Sequence, residues 1–316
     1  MEPIDQVQLS FDESTLTVLN VLIGLIMFGV ALSLRPGDFK RIAKDPRGPV
    51  IGLISQFLLL PALSFLLILF LERFIDVPAS VALGMILVAA SPGGNFSNFL
   101  TAWARGNTAM SVSMTAVSTL LAIVMTPLNL AFWGSRMEGT KEILEEVSLE
   151  PVDMMLTIVL ILVLPAGLGM TLRYVRPTIA ERLQRPMQIF SLAAFFSFIA
   201  FALLGNWEVF TTYLGSFVGI VFLQNAAALL LGYGAARTAR LPRYDARAIS
   251  IETGIQNSAL ALVLVFNFFD GLGGMAVIAA WWGVWHLVSG LTVSTYWRHR
   301  PVQVPGSDSV ATGGPG

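Results

Sequence analysis

The chain has 316 residues, of which 55% are hydrophobic and only 12% are charged, and its mean hydropathy is +0.74. A soluble domain normally carries about 25% charged residues, so the composition excludes an ordinary soluble protein and indicates several membrane crossings. Because the chain has no cysteine, disulfides and thiolate metal sites are excluded as well.

Nine apolar runs are long enough to cross a membrane core, which is about 30 Å thick. They lie at 15–34, 49–71, 78–103, 108–133, 153–172, 187–206, 209–236, 246–269 and 273–297. Short polar connections separate them, which predicts an all-α, polytopic membrane protein with about nine transmembrane helices. Residues 1–14 hold acids and no base, so we interpret the first run as a permanent helix and not as a signal peptide. Residues 298–316, rich in glycine and proline, are expected to form a disordered tail.

Basic residues gather on alternate connections between these runs. Most of the 19 lysines and arginines lie at 35–47, 105, 173–185, 237–247 and 298–300. The positive-inside rule places those connections in the cytoplasm. We therefore expect the N-terminus outside, the C-terminus in the cytoplasm, and a location in the plasma (inner) membrane.

Two runs are interrupted by helix breakers and clusters of side-chain oxygens. The third contains SPGGNFSN at Ser91–Asn98, and the eighth contains ETGIQN at Glu252–Asn257. Pro92 removes a backbone donor and the glycines allow a change of direction, so each run is predicted to form two half-helices. An ordinary proline kink is the alternative. Gln56 and Gln224-Asn225 also occupy corresponding places in the two halves, and together these features predict inverted repeats, which are typical of secondary transporters.

Glu252 is the only acidic residue well inside a predicted span, and no lysine or arginine lies well inside a span to pair with it. A carboxyl group in hydrocarbon must be protonated or must neutralise a bound cation. Ser111, Thr115 and Ser118 share one face of the fourth span. Their hydroxyls either help to hold a small cation or bond back to their own helix. A set of oxygen ligands without sulfur suits Na⁺ and not a transition metal.

Enzymatic chemistry is poorly supported by the sequence. The chain has two histidines, no phosphate-binding glycine loop and no plausible set of nucleophile, base and acid. His286, in the last span, is either a satisfied core residue or a group that contacts a solute. We expect neither an enzyme nor a nucleic-acid partner.

Several well-spaced motifs stand out along the chain: Ser91–Asn98, Ala104–Asn107, Ser111–Thr119, Ile251–Ser258, Gly24–Gly29, Gln56-Phe57 with Pro61, and Trp285-His286. At these motifs the chain resembles the bile acid:sodium symporter family, as a bacterial member. The resemblance extends from about residue 20 to residue 297.

This resemblance implies a panel domain at 15–34 and 153–206, and a core domain at 49–133 and 209–297 in which the two broken helices cross. It implies two Na⁺ sites that share one acid. The first uses Ser97, Asn98, Ser111, Thr115 and Glu252. The second uses Gln56, Glu252 and Gln256 with the carbonyls of Thr253 and Ile255. The solute is expected near Asn95, Phe96, Asn257 and His286.

The cargo itself stays open. At Leu287, where relatives can carry a polar amide, this chain is apolar, and the family handles bile acids, pantoate, pyruvate and other organic anions. We therefore expect a sodium-coupled symporter of an organic anion, working by alternating access as a monomer in lipid. The alternatives are the same scaffold coupled to protons through Glu252, and a membrane receptor that binds an anion without transporting it.

Overall fold

The computed structural model describes residues 4–7, 13–32, 37, 44–94, 96–147, 150–205, 207–300 and 302. Apart from one isolated backbone bridge, every regular element in these ranges is helical, which confirms the all-α prediction. A short 3₁₀ turn, Ile4–Gln6, precedes the helices. They are α1 (Glu13–Ala31), α2 (Arg47–Leu71), α3 (Ala79–Ala90), α4 (Phe96–Trp103), α5 (Thr108–Gly134), α6 (Glu138–Glu146), α7 (Pro151–Val175), α8 (Pro177–Gly205), α9 (Trp207–Thr238), α10 (Arg243–Gly254), α11 (Ser258–Phe268) and α12 (Gly273–Arg298).

Several of these helices have the length and composition of membrane spans. Within the described ranges, five are long and apolar enough to cross a bilayer: α2, α5, α7, α12 and the Phe217–Thr238 part of α9. Three shorter apolar helices accompany them, at Asn20–Ala31, Ala79–Ala90 and Ser258–Phe268. The protein is therefore a polytopic membrane protein, whereas the count of nine crossings and the orientation stay predictions.

Both predicted interruptions divide a span into two helices. α3 ends at Ala90 and α4 begins at Phe96, while α10 ends at Gly254 and α11 begins at Ser258. Ser91 is extended, with φ −73° and ψ 155°, because the ring of the following proline disfavours a helical conformation in the residue before it. The half-helix prediction is confirmed at both places.

The half-helices α3 and α11 lie in the centre of the protein. Every residue from Ser80 to Ala90 is buried, as is every residue from Ser258 to Phe266. α3 packs against α5 and α12, α9 packs against α10 and α12, and α1 packs against α7 and α8. The division into panel and core domains stays a prediction.

The two chain ends extend beyond the described ranges. α12 continues to Arg298, the first residue of the predicted tail, where the guanidinium lies 3.9 Å from the centre of the Trp103 ring. Most of that predicted tail, residues 301 and 303–316, lies outside the described residues, as do residues 1–3 and 8–12 of the predicted extracytoplasmic segment.

Candidate ion and solute site

The two interruptions meet and bond to each other through their backbones. The N–H of Gly94 donates to the carbonyl of Ile255 (2.6 Å), and the N–H of Asn257 donates to the carbonyl of Pro92 (2.8 Å). Gly93 and Gln256 form an antiparallel bridge between these bonds. Buried backbone groups freed by a helix break need partners, and here each break supplies them to the other.

Glycine is required at this junction by the space available. A Cβ on Gly94 would lie 2.9 Å from the carbonyl oxygen of Gln256, and one on Gly93 would lie 2.2 Å from Oε1 of Glu252. Both distances are shorter than ordinary van der Waals contact. The absence of a side chain therefore allows the buried carboxyl group to lie directly against the first break.

Glu252 is fully buried near the end of α10 and is surrounded by hydroxyl groups. Oε2 accepts from Ser97 Oγ of α4 (2.6 Å) and from Ser111 Oγ of α5 (3.0 Å). Oε1 accepts from Thr115 Oγ1, one turn further along α5, at 2.7 Å. In the described part of the chain, both ion pairs lie elsewhere, so the partners of this carboxyl group are neutral.

Asn98 brings a further oxygen into the same cluster. Its Oδ1 lies 2.9 Å from Ser111 Oγ and 3.3 Å from Thr115 Oγ1. A hydroxyl has one proton to donate, so neither Ser111 nor Thr115 can serve both Asn98 and the carboxyl group at once. The cluster therefore holds more oxygen lone pairs than protons, which is the arrangement that a cation satisfies.

A second group of predicted residues lies close to the same carboxyl group, since a Cβ on Gly93 would lie 2.2 Å from Glu252 Oε1 and 3.3 Å from Gln56 Nε2. Gln56 Nε2 donates to Gln256 Oε1 (3.2 Å), and Gln256 Nε2 donates to the carbonyl of Thr253 (2.7 Å). Gln56 Oε1 is buried and has no hydrogen-bond partner among the described residues. The carbonyls of Thr253 and Ile255 each accept one hydrogen bond, and a carbonyl oxygen has two lone pairs. Each can therefore also face an ion.

Gln56 reaches this place from a π-helical stretch of α2, Ser55–Leu59. Such stretches leave a carbonyl out of the regular ladder and are frequent at functional sites. The carbonyl of Phe57 is taken by Asn129 Nδ2 of α5 at 3.0 Å. Sequence reasoning missed Asn129, for which an amide in an otherwise apolar helix is the available signal.

The four predicted solute residues have different surroundings, and their contact with a solute stays a prediction. Asn95 lies outside the described residues. Phe96 packs against the cluster that contains Leu100 and Ile255. Asn257 caps α11, because its Oδ1 accepts from the N–H of Leu260 at 3.0 Å. His286 is buried on α12, and within the described residues its Nδ1 has no hydrogen-bond partner.

Ser118 shows how a shared helix face differs from a shared site. Its hydroxyl donates to the carbonyl of Thr115 at 3.1 Å and so bonds back to its own helix. The helical spacing placed it with Ser111 and Thr115, but the alternative role is the one found. Ser118 therefore contributes no hydroxyl to the carboxyl cluster.

The family model described as the sodium bile acid symporter family matches residues 20–213. The chain belongs to this family. A similar protein is the uncharacterized sodium-dependent transporter YocS of Bacillus subtilis (strain 168), which is 32% identical over 283 residues that cover 89% of this chain and 83% of that protein. Another is the ileal sodium/bile acid cotransporter of Homo sapiens, which is 31% identical over 253 residues that cover 79% of this chain and 69% of that protein.

A plant relative extends the comparison. The chloroplastic protein named probable sodium/metabolite cotransporter BASS2 of Oryza sativa subsp. japonica is 29% identical over 278 residues, which cover 88% of this chain and 63% of that protein. The resemblance stated from the motifs is thus confirmed. The sodium bile acid symporter family is one of transporters and not of enzymes, which confirms the prediction that this chain is no enzyme.

Proposed function

We propose that this protein is a sodium-coupled symporter of an organic anion and that it works by alternating access. The observation that carries the proposal is Glu252, a fully buried carboxyl group whose described partners are hydroxyls and not bases. Such a group stays ionised in a membrane interior only with a cation beside it. The names of the relatives, a sodium-dependent transporter, a sodium/bile acid cotransporter and a probable sodium/metabolite cotransporter, support Na⁺ as that cation.

Two Na⁺ ions, which are transported together with the anion, are proposed to share this acid. The side chains that would hold the first are Ser97, Asn98, Ser111, Thr115 and Glu252. Those that would hold the second are Gln56, Glu252 and Gln256, together with the carbonyls of Thr253 and Ile255. Every ligand is an oxygen, which favours a hard cation such as Na⁺.

Binding of the ions prepares the place where the anion binds. An ion beside Glu252 attracts the hydroxyls of α4 and α5 to the end of α10 and so stabilises the contact between the two breaks. α4 and α11 both begin at this contact, and helix N-termini carry a partial positive charge that suits a carboxylate. Because coupling between binding sites is reciprocal, the anion also raises the affinity for Na⁺. The solute is proposed to contact Asn95, Phe96, Asn257 and His286.

The proposed cycle is electrogenic. Two Na⁺ ions that accompany a monoanion move one net positive charge, which is worth about 2.3 kcal/mol per 100 mV of membrane potential. We propose a plasma-membrane location with the N-terminus outside, so that an inside-negative potential drives uptake.

Uptake of radiolabelled carboxylates into proteoliposomes tests the proposal. We expect uptake when external Na⁺ is present and none when K⁺ replaces it at the same pH. Uptake driven by a pH gradient alone would favour proton coupling, and binding without uptake would favour the receptor alternative. A panel of small carboxylates then identifies the cargo.

A substitution of the buried acid gives the sharpest test of the ion role. We expect Glu252→Ala to abolish Na⁺-dependent uptake while the protein still inserts and purifies as a single species. Glu142→Ala, which removes an exposed carboxylate from α6, is the matched control and should retain uptake. Full Na⁺-driven transport by the Glu252 variant would refute the proposal.

A further inference from the structure

Two half-helices, α3 and α10, end at the contact between the breaks. The last carbonyls of each half-helix have no N–H partner within their own helix. In each case a buried side chain of a neighbouring uninterrupted helix donates to the final carbonyl. Thr126 Oγ1 of α5 donates to the carbonyl of Ala90 at 2.8 Å. Asn225 Nδ2 of α9 donates to the carbonyl of Gly254 at 2.7 Å.

Asn225 belongs to a chain of hydrogen bonds that continues into α12. It is fully buried, and its Oδ1 accepts from Ser289 Oγ at 2.5 Å. The same hydroxyl lies 3.2 Å from the carbonyl of His286. One amide therefore connects the end of α10 to the helix that carries the buried histidine.

The carbonyl that Asn225 holds lies between two proposed ion ligands. Gly254 separates Thr253 from Ile255, and each peptide group is a rigid plane, so the direction of the middle carbonyl restricts the directions of its neighbours. The same stretch of α9 also packs closely against Gly254, because a Cβ on Gly254 would lie 2.4 Å from Leu229 Cδ2. Asn225 and Leu229 are one turn apart on α9 and together hold the end of α10 in place.

We propose that Asn225 is a positioning residue for the second cation, and this inference rests on the proposed function. Asn225 directs the carbonyls of Thr253 and Ile255 toward the ion by holding the carbonyl between them. Ser289 orients the amide, because its hydroxyl occupies Oδ1 and leaves Nδ2 to face the break. The link also gives the occupied ion site a path of direct contacts to α12.

The test compares Na⁺ binding by purified variants in detergent. Asn225→Leu keeps a similar volume but leaves the carbonyl of Gly254 without its donor. Na⁺-dependent thermal stabilisation, with K⁺ as the reference salt, gives the half-saturating Na⁺ concentration without need of the cargo. We expect that concentration to rise about fivefold or more in Asn225→Leu, as the loss of one buried hydrogen bond implies, and to rise less in Ser289→Ala.

The matched control is Thr126→Val, which removes the corresponding bond at the end of α3. A structural role alone would lower the melting temperature in K⁺ for both Asn225→Leu and Thr126→Val. Positioning by Asn225 raises the half-saturating Na⁺ concentration in Asn225→Leu and leaves it unchanged in Thr126→Val. An unchanged concentration in Asn225→Leu, or an equal rise in Thr126→Val, would overturn the inference. If Asn225→Leu does not purify as a single species, Ser289→Ala takes its place. A half-saturating Na⁺ concentration in Ser289→Ala that is unchanged, or that rises no more than in Thr126→Val, then overturns the inference. Wild-type protein that shows no Na⁺-specific stabilisation would refute the proposed function itself.

Discussion

An alanine at position 93 is expected to weaken Na⁺ binding by acting on a carboxyl group that it does not replace. The added Cβ would lie 2.2 Å from Oε1 and 2.9 Å from Cδ of Glu252. Gly93 is not among the described residues with positive φ, so its backbone accepts an alanine. The severe steric conflict is with the Glu252 side chain, and Gln56 Nε2, at 3.3 Å from the added Cβ, is a lesser one. Ordinary contact between such atoms needs about 3.5 Å, so the carboxyl group must move by about 1 Å.

That movement has a definite energetic cost. Oε1 accepts from the hydroxyl of Thr115 at 2.7 Å, and a shift of this size breaks the bond. A hydrogen bond to a charged group contributes about 1.5–3 kcal/mol. Since every 1.4 kcal/mol is about tenfold in affinity, the half-saturating Na⁺ concentration of Gly93→Ala should rise about 10- to 100-fold.

The assay is Na⁺-dependent uptake into proteoliposomes as a function of external Na⁺. Gly234→Ala on α9 is the matched control, because no heavy atom lies within 4 Å of a Cβ placed there, and it should behave like the wild type. A Gly93→Ala protein with a wild-type half-saturating concentration would show that the carboxyl group does not bind the ion in this position.

Two further substitutions test the site and the packing around it. Thr115→Val keeps the shape of the side chain but removes a hydroxyl bound to the carboxyl group, so uptake at limiting Na⁺ should fall about tenfold or more. Ser118→Ala is the control and should change uptake little. Equal losses in the two variants would contradict the assignment of Thr115, and not Ser118, to the ion site. Gly84→Ala places a Cβ 2.8 Å from the backbone Cα of Met275 and should destabilise the protein by about 1–3 kcal/mol. A melting temperature no lower than that of Gly167→Ala, whose Cβ has no heavy atom within 4 Å, would show that α3 and α12 can separate at little cost.

The sequence by itself determined the features that depend on short stretches of chain. Pro92 followed by two glycines disfavours a continuous helix through local chemistry alone, and an apolar run of about 20 residues is favoured inside a membrane. Glu252 is recognisable for the same reason, since a single acid in an apolar span needs a partner whatever surrounds it. The all-α class, the two breaks and the most informative residue could therefore be predicted from local chemistry.

Only the tertiary structure decided which oxygens face one another. Gln56 and Gln256 are 200 positions apart in the chain, and their contact depends on how α2 is rotated about its own axis, which no local pattern specifies. Ser118 has the spacing of the site but bonds to its own helix, and the side-chain oxygen of Asn257 caps α11. Asn225 is recognisable in the sequence as an amide in an apolar run, but only the packing of α9 against α10 brings that amide to the carbonyl of Gly254. The side chains around the buried acid come from helices distant in sequence, so their arrangement follows from the packing of the whole chain.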